Sequence, residues 1–269
     1  MTQTEDIGFA QIAGTMADTN HGRRPDIPEN WKQGRTCYGG LSAALLLTDV
    51  RMIHVDVPPL RSAVINFVGP VTDNPTLSSE VLRQGRNVTS IAARANIGEQ
   101  AVCTATFSFG AARESELSVA FPAPDAPTPN NCEDFTPDFA KAFVPAFFHR
   151  FETKLIDGHR PMSGADEGYI RAWSRHNDPA SREGIESLLC IADVLPPAAL
   201  PMFRKMGAVS SMTWMFNVLQ DDLSTDDGWW QIETRHTAGN SGYSSQVMRI
   251  WNSRGDLVVD GMQSVTLFV

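Results

Sequence analysis

The stretch that decides the fold is CYGGLSAALLLTDV, residues 37–50. Two glycines stand near its start, apolar residues follow on nearly every side, and no charge occurs before Asp49. A helix without a polar face has to be enclosed by other structure. The stretch is shorter than the roughly 20 apolar residues that cross a bilayer, so we expect protein to enclose it and we expect no membrane span.

A second copy of this pattern occurs at residues 184–194, GIESLLCIADV. Gly40 precedes Asp49 by the same offset at which Gly184 precedes Asp193. Later in each half a second set of spacings matches, Gly98, Val102 and Thr106 in the first and Gly255, Val259 and Gln263 in the second. These matches indicate one unit written twice.

Each copy of the helix is accompanied by stretches typical of strands, and turn residues separate them. In the first copy we expect strands at 60–68, 77–84, 88–97 and 101–109. In the second copy we expect them at 143–155, 168–175, 209–219, 229–237, 243–251 and 257–268. A sheet that curls around one apolar helix, made twice, can close so that each copy covers the open sheet edge of the other, which predicts an α+β fold.

The segment between the copies is rich in Pro, Asp, Asn and Glu, which is typical of a surface linker. We therefore expect an N-terminal unit at residues 1–112, a linker at 113–137 and a C-terminal unit at 138–269.

Composition excludes several classes of function. The chain has 269 residues, 42% of them hydrophobic and 20% charged, as in ordinary globular proteins. Its net charge of −9 argues against a nucleic-acid-binding surface. The first 20 residues lack the basic and apolar pattern of a secretory signal, and the four cysteines lack C-x-x-C spacing. We expect a cytoplasmic protein with free thiols, no metal site and no cofactor.

Four short motifs occur in order across both halves: RTCYGG at 35–40, LRQGRNVTS at 82–90, ADVLP at 192–196 and GMQS at 261–264. They resemble, respectively, the glycine-led helix start, the arginine and glycine hairpin, the aspartate-bearing helix end and the final strand of one family. That family is the double-hotdog acyl-CoA thioesterases of the thioesterase II type, and the resemblance covers nearly the whole chain.

The resemblance implies a tandem hotdog fold, with two antiparallel sheets each wrapped around a central apolar helix. It also implies hydrolysis of an acyl-CoA thioester to the free acid and CoA, with acyl-CoA as the partner. A homodimer formed through a sheet edge is compatible with this reading.

In the family an aspartate, a threonine and a glutamine hold the attacking water. Carried over, the aspartate falls on Asp193 and the glutamine on Gln263. The hydroxyl falls on Ser211, or on Ser210 if the register differs by one residue, because neighbouring strand residues face opposite sides. From spacing alone, Asp193 could equally cap the turn that follows its helix, and Gln263 could face solvent at a strand edge.

The electrophilic side of the reaction is expected at Gly39 and Gly40, where a helix start offers backbone N–H groups to a carbonyl oxygen. The alternative is that these glycines only allow close packing. Arg35, Arg83 and Arg86 are candidates for binding the phosphates of CoA, and the alternative for them is a solvated surface.

The repeat also marks a possible second site at Asp49, Ser62 and Thr106, in which threonine replaces the glutamine. We expect this second site to be inactive. Two other functions stay open. A hotdog hydratase is suggested faintly by TDNPTL at 72–77, which lacks the required histidine. A non-catalytic acyl-CoA or lipid-binding protein is suggested by the serine at the threonine position.

Overall fold

The computed structural model describes residues 7–205 and 207–269. The α-helices are α1 (Phe9–Gly14), α2 (Gly39–Ile53) and α3 (Ile185–Ala192). The strands of the first half are β1 (Ala17–Thr19), β2 (Gly22–Arg24), β3 (Lys32–Gln33), β4 (Thr36–Cys37), β5 (Leu60–Phe67), β6 (Thr76–Gln84), β7 (Val88–Ile97) and β8 (Gln100–Gly110). Those that follow are β9 (Glu133–Asp134), β10 (Phe151–Gly158), β11 (Tyr169–His176), β12 (Ala208–Val218), β13 (Trp230–Asn240), β14 (Tyr243–Trp251) and β15 (Leu257–Phe268). None of the helices in these ranges has the length and apolar character needed to span a membrane.

The main strands form one sheet, where the sequence analysis expected two. The sheet has 13 strands in the order β1-β2-β6-β7-β8-β5-β12-β15-β14-β13-β11-β10-β9. Its halves join where β5 pairs antiparallel with β12, with Ile65 opposite Trp214 and Ala63 opposite Phe216. This pairing satisfies the backbone groups along both inner edges, so the sheet runs through the seam without a break.

Helix α2 is enclosed, as its composition predicts. Every residue from Gly40 to Leu47 is buried. The hydroxyl of Tyr38, just before α2, donates a hydrogen bond to the carbonyl oxygen of Cys190 in α3 at 2.8 Å. A Cβ at Gly40 would lie 2.2 Å from that same carbonyl oxygen, so only glycine allows the two helices to approach this closely.

The segment between the halves lies across the outer face of the C-terminal strands. The indole N–H of Trp251 donates to the carbonyl oxygen of Phe121 at 3.0 Å, and that of Trp173 donates to Pro127 at 2.8 Å. Proline-rich chain leaves its carbonyl oxygens unpaired, so strand side chains can hold it in this way.

Several elements differ from the sequence-based expectations. The short strands β1 to β4 and β9 lie outside every expected strand, and β9 pairs with β10 although it falls in the expected linker. Helix α1 was not predicted, because a six-residue helix with only Phe9 and Ile12 buried gives little periodic signal. The strand expected at 143–155 begins only at Phe151, since a 3₁₀ helix at Ala146–Arg150 follows Pro145 and takes up the first part of that range.

Candidate active site

Asp193 lies where the two halves meet. It is the residue that ends α3, and the first turn of α2 faces its carboxylate. The backbone N–H of Gly40 donates a hydrogen bond to this carboxylate. A Cβ at Gly39 would lie 2.7 Å from Oδ2 of Asp193. The aspartate of the second half therefore sits against the positive end of the first half's helix, where a negative charge is favoured.

Gln263 connects this carboxylate to a hydroxyl. It lies on β15 with 3% of its surface exposed. Its Nε2 donates to Oδ1 of Asp193 at 3.0 Å and to Oγ of Ser211 at 3.0 Å. The structure thus brings together the three side chains that the sequence analysis named.

A β-bulge decides which serine reaches the site. The register of β12 against β15 shifts between Ser211 and Thr213, which makes Met212 the extra residue. A bulge of this kind turns the side chains on one side of it to the opposite face. Ser211 consequently shares the inner face with Trp214, whereas Ser210 is exposed.

One polar neighbour was missed by the sequence analysis. The Oε1 atom of Gln263 accepts a hydrogen bond from Nε2 of Gln246 on β14, at 2.8 Å. Gln246 alternates with exposed or half-buried residues and shares the buried face of its strand with Met248 and Ile250. An amide on that apolar face was the available signal, because buried amides require partners.

Burial dominates the electrostatics of the site. It raises the pKa of Asp193 to about 7, although the hydrogen bonds from Gln263 and from the N–H of Gly40 act in the lowering direction. Burial also raises the pKa of nearby Tyr38 well above its ordinary value, so its phenol stays neutral. Asp193 keeps part of its surface accessible, so it can exchange protons with solvent or a bound water at neutral pH.

The three arginines proposed for CoA do not lie together. Arg35 is exposed in the turn between β3 and β4, directly before α2. Arg83 is level with Ser62 across the strand registers, whereas the site lies near Phe67 at the other end of β5. Roughly five residues at about 3.3 Å and three strand spacings of about 4.8 Å separate Arg83 from Phe67 along the sheet. Arg86 lies beyond Arg83 in the same hairpin, so only Arg35 is near the glycines of α2.

The residues of the possible second site are not brought together. Asp49 is fully buried and lies 3.4 Å from the guanidinium Nη1 of Arg23, and burial raises its pKa. The hydroxyl of Ser62 donates to Oδ1 of Asn217 at 3.0 Å on the outer face of the sheet. Thr106 is also on that face, in an open groove of about 510 Å³. The expected correspondence of these three residues to the trio at Asp193 is therefore wrong.

The residues that the structure describes contain no group of three or more His, Cys, Asp or Glu side chains arranged to hold a metal ion. The thiols of Cys37, Cys103 and Cys190 are buried and free, and burial raises the pKa of both Cys37 and Cys103 to about 12. The groups near the seam that could take part in a reaction are therefore the carboxylate of Asp193, the hydroxyl of Ser211, the two glutamine amides and the backbone N–H groups at the start of α2.

Solved structures with this fold match over nearly the full chain. A hotdog-fold protein of unknown function from Alicyclobacillus acidocaldarius has 18% identity and a TM-score of 0.83, with 98% of this chain and 99% of that chain covered. The tesB protein of Mycobacterium avium subsp. paratuberculosis has 15% identity and a TM-score of 0.75, with 96% and 98% covered. An acyl-CoA thioesterase II from Mycobacterium marinum has 16% identity and a TM-score of 0.71, with 96% and 97% covered. These likenesses establish the hotdog fold.

Comparison with curated proteins gives no significant match. Two family models match the sequence itself. The acyl-CoA thioesterase N-terminal domain matches residues 27–110, and the acyl-CoA thioesterase C-terminal domain matches residues 124–267. The two matches follow the order of the internal repeat, and the chain belongs to the acyl-CoA thioesterase family.

Proposed function

We propose that the chain hydrolyses an acyl-CoA thioester, with Asp193 as the general base for a water that accepts a hydrogen bond from Ser211, and with Gln263 positioning both side chains. One observation carries the proposal: the amide of Gln263 bridges Asp193 and Ser211, at 3.0 Å to each, beside the start of α2. Membership of the acyl-CoA thioesterase family supports thioester hydrolysis in general, and this geometry supports the assignment of roles.

The acid–base property of Asp193 suits this role. A general base is most effective when its pKa lies near the working pH. Burial gives Asp193 a pKa of about 7, so near neutral pH it is partly ionised and can accept a proton from water. An ordinary exposed aspartate would be a much weaker base.

The start of α2 is the proposed electrophilic side. Its first N–H groups have no partner inside the helix, and the helix dipole favours negative charge there. In the resting structure the N–H of Gly40 donates to Asp193. A thioester carbonyl oxygen that enters at Gly39 would approach the backbone donors of this first turn between the carboxylate of Asp193 and the ring of Phe67, where glycine leaves the most room. Charge that develops on this oxygen would then be stabilised where it forms.

The proposed reaction has two steps. The water oxygen bonds to the thioester carbon, its proton passes to Asp193, and the carbonyl electron pair moves onto the oxygen near α2. The tetrahedral intermediate then re-forms the carbonyl and breaks its bond to sulfur, and the proton on Asp193 returns to the leaving CoA thiolate. Arg35, exposed just before α2, is the proposed contact for the CoA phosphates.

The test is release of free thiol from short, medium, long and aromatic acyl-CoAs by the wild type, Asp193→Asn and Asp49→Asn. The second variant is a matched control, because Asp49 is also a buried aspartate on the corresponding helix. We expect Asp193→Asn to lose at least about a hundredfold in kcat, the usual scale for a general base, and Asp49→Asn to stay within about twofold. Loss in Asp49→Asn alone would reverse the assignment. Saturable acyl-CoA binding without thiol release by the wild type would favour a non-catalytic binding protein.

A further inference from the structure

We propose that Gln246 is a positioning residue: through a one-way chain of hydrogen bonds it fixes which end of the Gln263 amide faces Asp193 and Ser211. The kinetic part of this inference rests on the proposed function, whereas the orientation of the amide does not. Gln246 lies on β14 directly opposite Gln263, and its amide bonds to the amide of Gln263.

The series of hydrogen bonds starts at a backbone N–H group, which can only act as a donor. The backbone N–H of Ala198 donates to Oε1 of Gln246 at 2.6 Å. A backbone N–H can only donate, so Gln246 must present its oxygen to Ala198 and its NH₂ group to the other side. Ala198 is fully buried and Gln246 is 3% exposed, so solvent offers neither group another partner.

The orientation then passes to the next amide. The NH₂ of Gln246 donates to Oε1 of Gln263 at 2.8 Å, which leaves the NH₂ of Gln263 to face Asp193 and Ser211. Without the donor on Gln246, the amide of Gln263 could turn over and place its oxygen against the carboxylate of Asp193. That arrangement would replace an attraction by a repulsion between two acceptors.

The donor-to-acceptor order of these hydrogen bonds also sets the role of the Ser211 hydroxyl. Because Oγ of Ser211 accepts from Gln263, its own proton remains available to donate to the oxygen of a bound water. The water can then direct its own proton at Asp193. Ala198 and Asp193 lie on the same loop after α3. The series of hydrogen bonds therefore begins and ends on that loop.

The test compares Gln246→Met with Gln231→Met. Methionine keeps the size of glutamine and cannot donate. Gln231 is a matched control, because it is 2% exposed and its amide donates to the carbonyl oxygen of Pro124 at 3.2 Å, in the segment outside the sheet. For Gln246→Met we expect kcat to fall about ten- to hundredfold, KM to stay within about threefold, and the acid limb of the kcat profile to move up by about one pH unit.

The same shift should be seen without turnover. The carboxyl ¹³C resonance of Asp193, assigned by its loss in Asp193→Asn, should titrate at higher pH in Gln246→Met and at the wild-type pH in Gln231→Met. An unshifted titration in Gln246→Met would overturn the proposal. If the wild type releases no thiol from any acyl-CoA, the proposed function fails, and this titration still decides the role of Gln246.

Gln246→Glu provides a second variant if Gln246→Met does not fold. A protonated glutamic acid can accept from Ala198 and donate to Gln263, as glutamine does, whereas its ionised form can only accept. As the pH rises, the introduced carboxyl group loses its proton and can no longer donate to Gln263. The kcat of Gln246→Glu relative to wild type should therefore fall with rising pH. A ratio that stays constant with pH would show that the direction of the chain is unimportant.

Discussion

Replacing Asp193 by asparagine should remove the activity and stabilise the fold at the same time. The pKa of Asp193 in the folded chain is about 7, against an ordinary value of 3.8, because burial disfavours its charge. A folded-state pKa above the unfolded value means that ionisation costs stability. The cost is absent well below pH 3.8, grows as the pH rises towards the folded pKa, and is constant above it.

The size of the effect follows from the two pKa values. A difference of roughly 3 units corresponds to about 4 kcal/mol when the group is fully ionised in both states, and to about 1.5 to 2 kcal/mol near pH 5. The introduced asparagine would keep one oxygen for Gln263 or for the N–H of Gly40, and it would lose the second acceptor. That loss is the same at every pH. The change with pH is therefore the firmer prediction: the stability advantage of Asp193→Asn over wild type should grow by about 2 to 3 kcal/mol between about pH 5 and pH 8.

Urea unfolding of both proteins at about pH 5, 6, 7 and 8, at constant ionic strength, measures this advantage. Asp226→Asn serves as the control, because it removes one negative charge from an exposed aspartate and should show no such growth. An advantage that is independent of pH, or that shrinks as the pH rises, would refute the argument that burial of the charge is costly. Thiol release by the same samples should be reduced at least about a hundredfold in Asp193→Asn and unchanged in the control.

Three further predictions follow from the site and the core. Ser211→Ala should lower kcat about tenfold or more, whereas Ser211→Thr should keep most of it, since threonine retains the hydroxyl; steady-state thiol release compares the two. Gly39→Ala should lower kcat at least about tenfold, because the alanine Cβ would lie 2.7 Å from Oδ2 of Asp193 and would displace the carboxylate. The crystal structure of the variant would show this displacement. Iodoacetamide at about pH 8 should modify half-buried Cys132 in the native protein and should leave Cys37 unmodified until urea is added. The reason is that burial raises the pKa of Cys37 to about 12, and peptide mass spectrometry identifies the modified thiol.

Local pattern was sufficient for the later strands. The sequence predicts strands at 243–251 and 257–268, and the structure has β14 at Tyr243–Trp251 and β15 at Leu257–Phe268. Both strands alternate buried with less buried residues, and a turn with a glycine separates them. The union of the two halves into one sheet could not be predicted in this way, because β5 and β12 pair across about 150 residues of chain and nothing in either strand specifies the other.

Within the site, the chemical identity of the residues was easier to predict than their directions. Asp193 and Gln263 were found through the resemblance to a family. The choice between Ser210 and Ser211 depended on the bulge at Met212, and an ordinary exposed methionine gives no sign of a bulge in the sequence. Gln246 was missed because its proposed role depends on the hydrogen bond that it donates to Gln263. A hydrogen-bond partner on another strand cannot be identified from one sequence.

The structure also explains why we propose different roles for Asp193 and Asp49 although the fold is duplicated. Both halves keep an aspartate at the same offset from a helix-opening glycine, yet their surroundings differ. Asp193 receives an amide donor from Gln263, which is neutral and leaves the carboxylate able to take a proton near pH 7. At Asp49 burial also raises the pKa, but the guanidinium of Arg23 acts in the lowering direction and occupies the carboxylate. Ser62, which the sequence analysis grouped with Asp49, donates to Asn217 on the outer face of the sheet instead. Restoring a second site would therefore require removal of the arginine together with a new amide on the inner face of β8, and a single substitution at Thr106 would leave it inactive because Thr106 faces outward.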